Sequence, residues 1–297
     1  MSRIRTWYMA LRPFSYTASV IPVLVGTVLV GYETGHIDIY LFLATLIASV
    51  SVLAGTNLAD EYFDHLRGVD KEGALGFKRV LKQRLLTPNQ VLAAGLIFWA
   101  TAVILGLYIV QQAGLAILVI ALLSMTAALL YAAGPLGHFG LGEMTVFIFM
   151  GPVMVMGSYF VQSGAVTWDS FWVSLPIACM VAAILQGNNI RDIDEDRASG
   201  KRTLATFIGR KRANIEYYVL LSGAYIALVI VTARGVAPWT ALLTLATLPT
   251  AISMIRAVRE GPDAVALTGV VKGTAMLHAQ FGLLLAAGIS LGLLFHL

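Results

Sequence analysis

Two short stretches concentrate the side chains of this chain that could do chemistry. "NLADEYFDHLRG" (57–68) and "NIRDIDEDRASG" (189–200) share the spacing Asn-x2-Asp-x3-Asp-x3-Gly. Asn57, Asp60, Asp64 and Gly68 stand in the first copy, and Asn189, Asp192, Asp196 and Gly200 in the second, at a constant offset of 132 residues. On a helix, residues three and four apart project from one face. Asn57, Asp60, Glu61 and Asp64 therefore form one stripe of oxygen ligands. Asn188, Asn189, Asp192 and Asp196 form another, with Glu195 at its edge. Carboxylates crowded on one face repel and raise one another's pKa unless cations offset them. The natural partner of an all-oxygen Asp/Asn set is a hard divalent ion, and Mg²⁺ in particular takes a few carboxylates together with substrate phosphates. Hydrated residues at the start of a polar loop would account for one such acid, but account poorly for two matched sets. His36, His65, His138, His278 and His296 are scattered, so nothing points to zinc.

Basic residues follow both stripes: Lys78, Arg79, Lys82 and Arg84 after the first, Lys201, Arg202, Arg210, Lys211 and Arg212 after the second. Arg210 to Arg212 read best as membrane anchoring. The others, beside acids that bind metal, suit a diphosphate: the metal bridges carboxylate to phosphate, and Arg or Lys takes the remaining anionic oxygens.

The elements that must position these groups are apolar. Of the 297 residues 58% are hydrophobic and only 12% charged, about half the charge of a soluble domain; mean hydropathy is +0.81. Nine runs approach the ~20 residues needed to cross a bilayer: 14–32, 39–58, 91–111, 114–132, 142–162, 170–190, 215–233, 237–256 and 275–296. The first is long, follows Arg12-Pro13 and leads into further runs, unlike a cleavable signal peptide. Cys179 is the single cysteine, so no intrachain disulfide forms. Every Lys and Arg except Arg234 falls in or at the edge of the N-terminal segment and the loops near 59–90, 133–141, 191–214 and 257–274. Those loops alternate, so the positive-inside rule places them, and both acidic stripes, on the cytoplasmic side. The basic balance thus reflects topology and gives no reason to invoke nucleic acid. The expectation is an all-α polytopic membrane protein, one domain over 1–297, of nine transmembrane helices in two pseudo-repeated four-helix halves. The halves follow from the two stripes lying at the ends of the second and sixth runs.

The paired Asp-rich motifs resemble those of the UbiA superfamily of intramembrane prenyltransferases. Within it, "LRPFSYTASVIPVLVGT" (11–27), "NLADEYFDHLRGVD" (57–70), "GLGEMTVFIFMGPVMVMGSYFVQSG" (140–164) and "GNNIRDIDEDRASGKRTLA" (187–205) are similar to the menaquinone-pathway branch that prenylates 1,4-dihydroxy-2-naphthoate. The resemblance implies helices around a central cavity open sideways to lipid. It also implies Mg²⁺-dependent ionisation of a polyprenyl diphosphate, with transfer to an aromatic acceptor. Asn57, Asp64, Asp192 and Asp196 match its metal-binding positions, with Asp64, Asp192 and Asp196 carrying the catalysis; Asp60, Glu61 and Asn189 complete the metal set. Arg79 and Arg84 match diphosphate positions, joined by Lys201 and Arg202, while Arg12 and Asn188 belong to the substrate pocket. The branch usually has Asn-Asp where this chain has Asp60-Glu61, which leaves open which of the two meets metal. It often has a Lys where this chain reads "GPLGHFG". Other acceptors in the superfamily are 4-hydroxybenzoate, homogentisate and tetrapyrroles. From another class, intramembrane acids and repeats also suit a cation-coupled transporter, although acids at one membrane face fit it less well than acids at the midplane. A member that binds isoprenoid without chemistry would not need both carboxylate sets. A plasma membrane of a prokaryote, with the site toward the cytoplasm, is the expected location.

Overall fold

The computed structural model of the protein describes residues 2–66, 80–133, 136, 140–261 and 264–295. It opens on α1 (Arg3–Leu11), whose N-cap Ser2 accepts the Arg5 N–H and which ends at Arg12 in the left-handed region (φ 50°, ψ 57°). A 3₁₀ turn (Pro13–Tyr16) leads into α2 (Thr17–Thr34). Asp38 then caps α3 (Ile39–Leu66) by accepting the Tyr40 and Leu41 amides. The next helix, α4 (Pro88–Ala113), starts at a reciprocal Thr87–Gln90 capping box with Pro88 in the first turn, where its missing N–H costs nothing. After α5 (Ala116–Ala132), α6 (Gly142–Ile148) and α7 (Met154–Ser163) are joined through a π turn, Phe149–Val153. Pro152 lies in that turn and lacks the amide a regular helix needs. The remainder is α8 (Trp168–Arg191), α9 (Ile193–Ser199), α10 (Leu204–Ile208), α11 (Arg210–Ala233), a 3₁₀ segment (Trp239–Thr247) running into α12 (Leu248–Glu260), and α13 (Ala264–Gly292).

Among the described residues, eight segments are long and apolar enough to cross a membrane. The ninth expected run is α5, of 17 residues; at ~1.5 Å per residue it spans ~25 Å, short of the ~30 Å hydrocarbon core. The protein is thus an all-helical, multi-pass membrane protein with eight full-length segments and one shorter apolar helix. The run expected over 39–58 continues helically to Leu66, so the whole first stripe rides on one unbroken helix.

The apolar core is shared unevenly among the helices. Leu29, Ile177, Met180, Tyr217, Leu221, Leu228 and Phe281 belong to one continuous core that joins α2, α7, α8, α11, α12 and α13. Close backbone approach helps to build it: a Cβ on Gly26 of α2 would overlap Ser158 Oγ and the Val155 carbonyl of α7. Small residues serve that purpose where helices meet in a membrane. On the other side, α3, α4 and α5 touch one another but bury only two small clusters. Leu58, Val80, Leu81 and Val91 form one, and Ala44, Ile109, Ile117 and Val161 the other. Beside the second cluster lies a cavity of about 490 Å³, lined in part by Ile109, Ile117 and Val161.

Candidate active site

The two acidic stripes face one polar cavity of about 140 Å³. Asn57, Asp60 and Asp64 line it from α3; Asn188, Asn189 and Asp192 line it from the end of α8, and Glu195 and Asp196 from α9. The second stripe crosses a joint, since α8 stops at Arg191 and Asp192 (φ −94°, ψ 6°) separates it from α9. Helical hydrogen bonds nonetheless bridge the joint, from Asp192 N to Asn188 O (3.0 Å) and from Asp196 N to Asp192 O (2.8 Å). The i, i+4 alignment therefore survives.

Each stripe is braced by one arginine. Arg12, carried inward by its left-handed turn, donates to Asp60 Oδ2 (3.3 Å) and to Glu61 Oε2 (3.1 Å). Glu61 also accepts the Leu81 N–H (3.2 Å) and is 2% exposed. Its carboxylate thus points to the α1 and Leu81 side and does not line the cavity, whereas Asp60 does. The helical stripe alone treats the two acids alike; their partners separate them. In the second stripe Arg191 donates to Asp192 Oδ1 (2.6 Å) and Oδ2 (2.5 Å) and to Asn188 Oδ1 (2.6 Å).

The paired asparagines share a further device. Asn57 commits its amide Nδ2 to Leu11 O (3.3 Å) and Ser15 Oγ (3.0 Å). Asn189 commits its Nδ2 to Glu143 Oε1 (2.6 Å). Glu143, from the first turn of α6, lines the same cavity and is 5% exposed, and the motif spacing did not single it out. An acid opening an otherwise apolar run was the available signal. Asp64 is 1% and Asp196 6% exposed. Burial pushes the Asp196 carboxyl up to about 7; Lys201 opposes the shift, and Asp192, Glu195 and Asp64 add to it. That Asp64 acts on Asp196 places the two stripes within electrostatic reach of each other.

The basic residues divide. Lys201 lines the cavity, as do Arg12 and Arg191. Arg202 and Arg84 are exposed and do not line it; Arg84 sits in a left-handed turn residue (φ 53°) after α3. Lys78, Arg79 and His138 lie outside the described residues.

The polar cavity opens directly into the apolar one. Arg12, Thr56, Asn57, Tyr131, Leu185 and Asn188 line both and form a collar between them. Below the collar the walls are Val52, Ala121, Met125, Phe149, Gly157 and similar side chains. The donor set fits Mg²⁺ in the way that ion is usually held, by one or two carboxylates with substrate phosphate completing the shell. Among the described residues no three His, Cys, Asp or Glu side chains converge into a closed protein cage; instead Asn57, Asp60 and Asp64 on one wall face Asn189, Asp192, Glu195 and Asp196 on the other across an open gap. Such a site has room for an anion with a polar head and a long apolar tail.

Comparison with known proteins agrees. A "1,4-dihydroxy-2-naphthoate octaprenyltransferase" of Bacillus subtilis is 34% identical over 281 residues, covering 94% of this chain and 90% of the relative. The solved structure of a UbiA homolog from Aeropyrum pernix K1 matches with a TM-score of 0.67 at 19% identity, over 95% of this chain and 98% of that one. A UbiA homolog from Archaeoglobus fulgidus, solved bound to DMAPP and Mg²⁺, matches with a TM-score of 0.62 at 14% identity, over 94% and 99%. The model of the UbiA prenyltransferase family matches residues 19–268, a span that takes in both acidic stripes and most of the residues lining the two cavities, and the chain belongs to that family.

Proposed function

We propose that this protein transfers a polyprenyl group from a prenyl diphosphate to 1,4-dihydroxy-2-naphthoate, with loss of CO₂, in menaquinone biosynthesis. One observation carries the reading: a cavity walled by acids and asparagines is joined through a shared collar of residues to a larger apolar cavity. A prenyl diphosphate has the matching shape, its head between the two stripes, its tail among the apolar walls and its C1–O bond at the collar. The acceptor follows from the similarity to naphthoate prenyltransferases.

Asn57, Asp60 and Asp64 on one wall, and Asn189, Asp192 and Asp196 on the other, are the residues that would hold Mg²⁺. When bound, the ion supplies positive charge to the departing diphosphate. Lys201 and Arg12 lie where they can take remaining anionic oxygens. Arg191 keeps Asp192 and Asn188 in place through its hydrogen bonds. Glu61 anchors the Arg12 guanidinium, a structural part in place of the metal contact expected from spacing. The C1–O bond breaks with its electron pair on the diphosphate, leaving an allylic cation. Tyr131 presents a ring at the collar, where a π face can stabilise such a cation. The electron-rich ring attacks C1, and loss of the carboxylate as CO₂ returns a bonding pair to the ring. The apolar walls exclude water that would otherwise capture the cation. The positive-inside distribution puts the diphosphate end on the cytoplasmic side, of a plasma membrane if the cell is prokaryotic.

The test is turnover by detergent-purified protein with Mg²⁺, a series of prenyl diphosphates and a set of aromatic acids, with products identified by mass. Decarboxylated prenyl-naphthoquinol is expected. Transfer to 4-hydroxybenzoate or homogentisate with none to the naphthoate would overturn the acceptor assignment.

A further inference from the structure

We infer that Glu143 is a positioning residue of the second stripe: it holds the Asn189 amide so that Asn189 Oδ1, and not its NH₂, is presented to a divalent cation. The inference rests on the function proposed above and adds a residue that the acidic motifs do not contain. An asparagine can serve a cation only through its amide oxygen, so the NH₂ must be tied elsewhere. Asn57 shows the arrangement in the first stripe, its Nδ2 held by Leu11 O and Ser15 Oγ. In the second stripe no backbone carbonyl or hydroxyl of the described residues takes that part. A carboxylate from a different helix does, at 2.6 Å, with both partners at 5% exposure.

Two further observations make this more than an incidental contact. Glu143 Oε2 is buried and has no hydrogen-bond partner among the described residues, although the side chain lines the polar cavity. Such a burial is costly when nothing else uses the group. The approach to Glu143 passes a turn that favours glycine, Gly140 at φ +73°, and Gly142 then packs beside Leu185 of α8 at ordinary contact distance. The chain therefore delivers Glu143 onto the last turns of α8, where Asn189 sits. A negative oxygen at the NH₂ end polarises the amide and increases the donor strength of Oδ1. Groups that orient metal ligands in this way alter metal affinity by about 10- to 100-fold when removed.

The experiment uses Mn²⁺ as a paramagnetic probe, titrated against the detergent-purified full chain with inorganic diphosphate and followed by electron paramagnetic resonance. Glu143→Leu removes the acceptor and should weaken Mn²⁺ binding by about 10- to 100-fold, with the same shift in the Mg²⁺ concentration for half-maximal turnover. Glu143→Gln keeps an oxygen acceptor of the same reach and should restore most of the Mn²⁺ affinity, a rescue that a mere packing role does not require. If Glu143→Leu does not fold, Glu143→Asp, which keeps the charge but withdraws it from Asn189, carries the same comparison and should weaken binding. Wild-type Mn²⁺ affinity in the folded Leu or Asp variant would overturn the inference while leaving the proposed function standing. Absence of Mn²⁺ binding by the wild-type protein would overturn both.

Discussion

The side of the molecule built from α8, α11, α12 and α13 is solid, and the side built from α3, α4 and α5 is hollow. Both are apolar in sequence, the hollow side somewhat more so. In the solid part, Leu228, Phe281 and Tyr217 have no exposed surface, and the buried hydroxyls of Tyr217 and Thr274 (2.6 Å) and of Tyr225 and Thr247 (2.7 Å) pair with each other. In the hollow part, Met125 and Ala121 face a cavity on one side of α5, while their neighbour Leu123 is exposed on the outer surface. The contrast separates two tasks that one composition can serve. A fixed core positions α8 and its half of the acidic site, and a loose wall leaves room for a tail. The polar site lies where the two meet, one stripe on each.

The comparison breaks first at the acids. If the site is shared between a wall of each kind, Asp64→Ala and Asp192→Ala should each lower turnover by about 10³-fold or more, the scale of removing one preorganised electrostatic contact to a leaving group. Both variants should unfold near the wild-type temperature, because neither residue belongs to the apolar core. Wild-type rates in either variant would remove that wall from the site.

Stability separates the two sides more directly. Leu228→Ala, within the solid core, should cost about 2–5 kcal/mol, the range for a buried leucine whose surroundings relax only in part. Met125→Ala adds space to a cavity already present, and should cost about 1 kcal/mol or less. Thermal unfolding in one detergent gives the order. Equal losses would mean that α5 is as tightly held as α11.

Much of this was legible in the sequence, and the failures have physical causes. The acidic stripes were readable because helical periodicity needs no tertiary information: Asn57, Asp60 and Asp64 must share a face on any helix. The split between Asp60 and Glu61 was not readable. It depends on Arg12 arriving through a left-handed turn and on the Leu81 amide, both distant in sequence from the stripe. Glu143 was hidden for the same reason, since its partner is Asn189, 46 positions away. The apolar runs were legible, but the hollow was not. Residues of α4 and α5 facing lipid and residues facing the cavity are drawn from the same Leu, Ile, Val and Ala, so no pattern marks the cavity side. Gly157 offers a smaller test of that hidden face. A Cβ there meets only Ile120 Cγ2, at 3.7 Å, so Gly157→Leu can project into the cavity. It should lower turnover of the longest prenyl diphosphates by about tenfold relative to short ones, near the value of one or two methylenes in an apolar pocket. Equal loss at every length would place the tail elsewhere.

The finest distinction is between neighbours in the chain. Lys201 lines the polar cavity and Arg202 is exposed outside it, so one residue of register decides which cation can reach the anion. Lys201→Ala should raise the KM for prenyl diphosphate by about tenfold, the equivalent of ~1.4 kcal/mol and within the range of a charge-assisted hydrogen bond. Arg202→Ala should change it by less than about twofold, as expected of a solvated charge that touches nothing in the site. Steady-state kinetics at saturating acceptor and Mg²⁺ read both. Reversed effects would mean that the turn after α9 presents its other face to the substrate, and the polar edge of the solid wall would then have to be redrawn around Arg202.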